Sequence, residues 1–419
     1  MRQPNGIRCL AATVLSALLF GFFGSTRLSA QDDGGLQLFG SMQTVFFHQE
    51  SELRIKDPAI GAELSGTETR NSFAMQQLDL FLRKEMGSDF TAFVDLEFQL
   101  NYSSEYGWGS LSLQEAWMNY HLSDAFNVKT GLLFPAFNRL NEIKNRLALL
   151  PYLFRPLIYE RLLSRKFFAE DFVPEHAFLQ LHGSIPIGDF FVDYAAYTGN
   201  AESSYITRRD AEGNIDTDIN PGFEFLSGVD PTEFKLKLFG GRFGLRTRDE
   251  SVAFGMSFTH DYNNLRDTTR YPDYILSQSS RQLLGSDAPR IRLGADLSVR
   301  HGPLFFETEV IKVIYDYEKA ERLQLEIEQS FVHGMVGYDV LPALTAYVSM
   351  QWGDYTFGID SDYYVYSFGG AYRVNDAITA KAQLIMYEEG FKENEDAYAD
   401  NYSQDVTIKF VFLGFSILL

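Results

Sequence analysis

Apolar and polar residues alternate with period two through most of the chain after residue 30. In 89–100, Phe90, Ala92, Val94, Leu96, Phe98 and Leu100 share one parity, and Thr91, Asp95, Glu97 and Gln99 share the other. In 289–300, Ile291, Leu293, Ala295, Leu297 and Val299 lie opposite Arg290, Arg292, Asp296 and Arg300. Such segments are strands with one apolar and one wetted face. The whole chain resolves into sixteen of them: 36–48, 72–84, 89–100, 111–122, 126–134, 175–184, 189–198, 234–247, 251–262, 289–300, 304–314, 327–338, 342–354, 363–374, 377–388 and 404–417.

The connections between these segments alternate in length. The long ones hold 23, 10, 40, 35, 26, 12, 8 and 15 residues, and the short ones between them hold 4, 3, 4, 3, 3, 3 and 2. The short ones carry turn chemistry, as in Ser123-Asp124, His301-Gly302-Pro303 and Asn375-Asp376. A soluble sandwich has no reason to sort its loops by end, whereas a membrane barrel closes alternate hairpins tightly at one end and loosely at the other. The pattern predicts an all-β, transmembrane antiparallel β-barrel of about 16 strands. In lipid every backbone group must pair, so the sheet must close.

Residues 1–30 read as a signal peptide. Arg2 and Arg8 precede the apolar run 10–24, and Leu28-Ser29-Ala30 fits a cleavage site, leaving 31–419 as the barrel. Removing that segment moves the net charge from −20 to −23. The acidity argues against a nucleic-acid partner, and one cysteine excludes an internal disulfide. Phe (37) and Tyr (23) are abundant; pairs such as Phe46-Phe47 and Tyr363-Tyr364, and Tyr315 near a strand end, fit the aromatic girdles of a barrel.

A Lys or Arg facing lipid at mid-membrane costs about 2–4 kcal/mol. That test sends Lys129, Lys235, Lys237, Arg290, Arg292, Arg300, Lys381 and Lys409 inward, with Asp79, Asp95, Glu97, Glu115, Glu307 and Glu309. The expected lumen is charged with both signs and hydrated. In the longest connection, 135–174, Leu140, Ile143, Leu147 and Leu150 recur at helical spacing, and Pro151 and Pro156 end the pattern. It carries Arg139, Lys144, Arg146, Arg155, Arg161, Arg165 and Lys166 against only Glu142 and Glu160 between Arg139 and Lys166. An apolar, basic excursion of that kind does not suit an exposed loop.

Several stretches resemble the phosphate-selective porin O and P family. They are 120–134 followed by Pro135-Ala136-Phe137, Glu160-Arg161, 176–183, 194–200, 294–309 and 368–382, in the family's order. The last stretch, 405–419, looks like the closing strand of outer-membrane barrels, with Leu419 where Phe is commoner. The resemblance implies a trimeric channel for anionic solutes in the outer membrane, surrounded by its lipid. It also implies a third long loop folded into the barrel, so 135–174 is the expected constriction. Two roles compete for its cations and for Lys235, Lys237, Arg290 and Arg292: guiding anions such as phosphate, or pairing with inward carboxylates to hold the loop to the wall.

Alternatives are a general or cation-preferring porin, an outer-membrane β-barrel enzyme, and a structural barrel with a blocked lumen. The chain has no HExxH pair, GxSxG elbow or P-loop, so no catalytic residue, metal site or cofactor is expected. Asp216, Asp218 and Asn220 resemble the start of a calcium loop without its closing Glu.

Overall fold

A computed structural model describes residues 35–57, 62–101, 110–160, 172–200, 237–263, 288–315, 328–356, 360–391 and 403–419. Sixteen antiparallel strands pair in chain order, and β1 pairs with β16 to close the ring. They are β1 (Gln37–Asp57), β2 (Ala62–Met86), β3 (Phe90–Asn101), β4 (Ser110–Ser123), β5 (Phe126–Leu133), β6 (Ala177–Ile187), β7 (Phe190–Asn200) and β8 (Lys237–Thr247). There follow β9 (Val252–Asn263), β10 (Ala288–His301), β11 (Leu304–Tyr315), β12 (Glu328–Leu341), β13 (Leu344–Thr356), β14 (Asp360–Arg373), β15 (Ile378–Phe391) and β16 (Ser403–Leu418). The expected strand number and closure therefore hold.

The tight turns 87–89, 124–125, 188–189, 248–251, 302–303, 342–343 and 374–377 all fall at one end of the ring, the end that carries the C-terminus. At the other end, the expected 23-residue loop after the first strand is corrected. β1 and β2 continue pairing through Lys56↔Glu63 and leave only 58–61 between them. This extension is largely polar on both faces, with exposed ion pairs along each strand such as Arg54–Glu52 and Arg70–Glu68, and the continued β1–β2 backbone pairing holds it together. Without an apolar face it gives no period-two signal, which is why the sequence pattern ends at 48.

Alternation sets the two faces. Phe239, Phe243, Leu293, Phe258, Leu413 and Phe415 stand exposed on the outer face, where a lipid-facing band would lie. The inward face is not uniformly hydrated, as expected from its charges. Val45, Phe47, Ile311, Val313, Phe331, Val365, Ile385, Ile408, Phe410 and Phe412 are buried on it, in one cluster with Leu133, Phe137, Leu140, Leu153, Phe154, Leu157, Ile158 and Tyr159. The girdle reading is corrected likewise: Phe47, Tyr315 and Tyr363 point inward and are buried there.

The connection between β5 and β6 holds a five-residue helix, α1 (Arg139–Ile143), and two single 3₁₀ turns at 147–149 and 157–159. The helical spacing expected there is realised only in these pieces. The second 3₁₀ turn starts immediately after Pro156, which occupies its N-cap position with extended backbone.

Candidate functional site

The segment 136–157 is attached through its backbone to polar side chains on the inward face of seven strands. Gln180 on β6 accepts from Ala136 N at 3.1 Å, and Ser257 on β9 accepts from Asn138 N at 3.0 Å. Glu309 on β11 accepts from Leu140 N at 2.7 Å and from the Tyr159 hydroxyl at 2.8 Å. Gln351 on β13 accepts from Leu157 N at 2.7 Å. Gln383 on β15 takes two amides, Leu153 N at 3.0 Å and Phe154 N at 2.8 Å. On β1, Gln43 donates to Leu153 O at 2.8 Å, and on β2 Gln77 donates to Asn145 O at 3.1 Å. A register shift between Gln43 and Thr44 of β1 brings Gln76 of β2 inward beside Gln77, and Gln76 also donates to Leu153 O. Irregular backbone buried in protein must find partners, and this wall supplies them one side chain at a time.

The cations proposed from sequence divide into several groups. Arg290 and Arg292 face inward but are fully buried around Asp261, at 2.7 and 3.0 Å. Arg155 is buried against Glu160 at 3.5 Å and donates to Lys144 O at 2.8 Å. Lys144 is buried, with Asn141 Oδ1 at 3.0 Å and the Phe134 ring beneath it. Arg139 lies 3.8 Å from Glu307. These are wall and loop anchors. Arg161, Arg165, Lys166 and Lys235 lie outside the described residues, as do Asp216, Asp218 and Asn220.

Two placements are corrected. Lys237 stands on the outer parity with Phe239, while Leu238 is fully buried inside; Lys237 Nζ donates to Asn200 Oδ1 across the strand pair at 2.6 Å. It opens β8 at the loop end, away from mid-membrane, where the lipid penalty falls to about 0–1 kcal/mol. The charges that decide this strand's parity are Arg242 and Arg246, both inward: Arg242 pairs with Asp296, and Arg246 with Asp193 at 2.9 Å. Lys409 is also outward, sharing parity with Val411 and Leu413 and lying opposite Glu50 of β1.

Lys129 and Arg146 remain beside open space. Lys129 Nζ sits 4.4 Å over the Trp117 ring. Arg146 is exposed and has no ion-pair partner among the described residues. A cavity of about 530 Å³ is lined by both of them, together with Arg83, and by no carboxylate. A second, of about 300 Å³, is lined by Lys129, Arg242, His182, Asp193 and Glu142. Glu142 opens onto this space yet is surrounded by protein, and that enclosure raises its pKa above the ordinary carboxyl value against the pull of Arg242 and Lys129. Arg83 and Arg242 were not singled out from sequence. Their inward parity was available as a signal, by the same lipid-cost test that placed Lys129.

Against known proteins, no family model and no curated protein matches this chain. Solved structures do. An anion-selective porin from Comamonas acidovorans superposes with a TM-score of 0.52 at 12% identity, covering 92% of this chain and all of that one. In-vitro folded OmpT, an outer membrane protein of Vibrio cholerae, gives a TM-score of 0.50 at 10% identity, covering 94% and 100%. At such identities the likeness is one of fold. The chain has the closed sixteen-strand barrel of outer-membrane porins.

Proposed function

We propose that the protein is an outer-membrane porin, a water-filled channel for passive diffusion of small solutes with a preference for anions such as phosphate. One observation carries the reading. A segment of some twenty residues that bonds to β1, β2, β6, β9, β11, β13 and β15 of a closed ring reaches them from inside. On this reading 135–174 is the constriction, and its described part, 135–160, packs on the apolar side of the lumen. Solutes pass on the β2–β8 side, along Lys129, Arg146 and Arg242. Cations around an enclosed passage raise the local concentration of anions and lower their barrier.

The test is the zero-current potential across a planar bilayer under a salt gradient. Lys129→Gln with Arg146→Gln should move it toward cation preference, and Lys237→Gln should leave it unchanged. An unchanged potential in the double variant would defeat the anion assignment. A cation-preferring channel is the second reading, favoured by four inward carboxylates side by side: Asp79 opposite Glu97, and Asp95 opposite Glu115. A native potential of cationic sign would select it.

The rest of the proposal follows from the same reading. The protein acts without catalysis or cofactor, and residues 1–30, outside the described ones, are removed on export, so the mature chain begins at Gln31. It sits in the outer membrane as a homotrimer. An outer-face concavity where Gly370, Ala380 and Ala382 lie between Phe46, Phe73 and Phe415 supports the docking of further copies. Terminal sequencing and native mass spectrometry test the last two points.

A further inference from the structure

The inward face of β1–β4 carries an aromatic ladder near the tight-turn end. Phe39 and Phe81 have ring centroids 5.2 Å apart, Phe81 and Phe93 5.8 Å, and Phe93 and Trp117 5.1 Å, the last two pairs stacked. One ring comes from each of four consecutive strands, all on the parity of Ser41, Asp79, Asp95 and Glu115. Farther round this face Phe410 and Phe412 are sealed, lying under Phe154 and almost wholly buried. The ladder is left open. Phe39 is 40% exposed, and all four rings line the cavity of about 530 Å³.

Apolar rings facing water in a lumen are unfavourable unless something covers them. What surrounds these is specific. Arg83, Lys129 and Arg146 share the cavity lining, with Asn119 and Thr91 as neutral hydrogen-bonding groups and no carboxylate. Arg83 is tied to Glu85 at 2.6 Å outside that lining, and Trp117 donates through Nε1 to Glu115 at 3.1 Å, which fixes the indole plane. The volume falls within the range of about 300–1,000 Å³ usual for small-molecule sites. Stacked on one another, the rings turn their edges and the open side of Phe39 to the cavity, which suits edge-to-face contact with a planar ring, and Lys129 with Arg146 favours a negative charge on it.

We propose that the Phe39–Phe81–Phe93–Trp117 ladder, with Arg83, Lys129 and Arg146, is a binding subsite for aromatic carboxylates. The subsite deepens the channel reading and rests on it. The ring of the solute meets the edges of Phe81 and Phe93, and its carboxylate meets Lys129 and Arg146. Inorganic anions use the cations alone.

The experiment is equilibrium binding of benzoate, acetate and benzyl alcohol to the folded barrel in detergent micelles, followed by saturation-transfer NMR, with bilayer currents recorded in parallel. Benzoate should bind about tenfold more tightly than either acetate or benzyl alcohol. Phe93→Ala with Trp117→Ala should reduce the benzoate-over-acetate ratio about three- to tenfold for each ring lost. Phe81→Leu with Phe93→Leu keeps the apolar bulk and should reduce it in the same direction, so a poorly folding alanine variant does not protect the idea. Benzoate bound no better than acetate, or an unchanged ratio in the leucine pair, overturns the subsite while leaving currents, and so the channel, intact. Benzyl alcohol bound as well as benzoate overturns its anionic half. Benzoate binding in a barrel that passes no current overturns the channel reading and, with it, the subsite as a station on a passage, leaving a closed binding pocket.

Discussion

Gln383 is the most economical place to test how the 135–160 segment is held. Its Oε1 accepts both Leu153 N and Phe154 N, and its Nε2 donates to Phe154 O at 3.2 Å. Gln383→Met keeps the length of the side chain and removes these polar groups. Each buried N–H left without an acceptor costs about 1–3 kcal/mol, so two orphaned amides cost about 2–6 kcal/mol if the segment stays in place. The segment avoids the larger figure by shifting until water reaches the amides. The expected result is therefore a stability loss of about 2–3 kcal/mol by denaturant unfolding in liposomes, with a larger and noisier single-channel conductance. Gln383→Glu keeps both acceptors but buries a carboxylate and loses the bond to Phe154 O, so it should recover only part of the stability, and more of it at acid pH, where the protonated carboxyl can donate again. A Gln383→Met protein with native unfolding midpoint and native conductance would refute the argument, because the segment would then be held by something other than these bonds.

Further outcomes follow from the same geometry. The Glu142 carboxyl has a raised pKa because it is enclosed, so it loses its charge on acidification before a solvated carboxyl of pKa about 4.3 does. Stability from this group is complete below its unfolded pKa and is lost as pH rises through the folded one. The zero-current potential should move toward anion preference as pH falls, and Glu142→Gln should make that shift smaller and begin at lower pH. Asn138 has φ 50° and ψ 162°, a region nearly reserved for glycine, and both polar atoms of its side chain are buried without partners. Asn138→Gly should stabilise the barrel by about 1 kcal/mol, measured by denaturant midpoint. A Cβ at Gly294 would stand 2.3 Å from Asn138 Oδ1, so Gly294→Ala should cost about 1–3 kcal/mol, and far less in the Asn138→Gly background.

The architecture was legible in the chain because a two-faced strand writes its environment into every second residue. Sixteen such stretches, with connections sorted by length, required a closed ring. Where both faces meet water, as in 49–57 and 62–71, the code is silent, and only cross-strand pairing in space revealed those extensions. The cost of a lipid-facing charge placed Lys129, Arg290 and Arg292 correctly and misplaced Lys237 and Lys409, since it depends on depth, which sequence does not carry. Composition likewise marked 135–174 as basic and apolar, yet left each cation's role open. Whether Arg290 is a filter or a brace depends on Asp261, twenty-nine positions away in the chain and 2.7 Å away in space. The ladder from Phe39 to Trp117 is a contact among four strands, and no periodicity along one strand reports it. Local pattern settles which side chains share a face; which way that face turns near a strand's end, and what it meets there, are decided by closure of the ring.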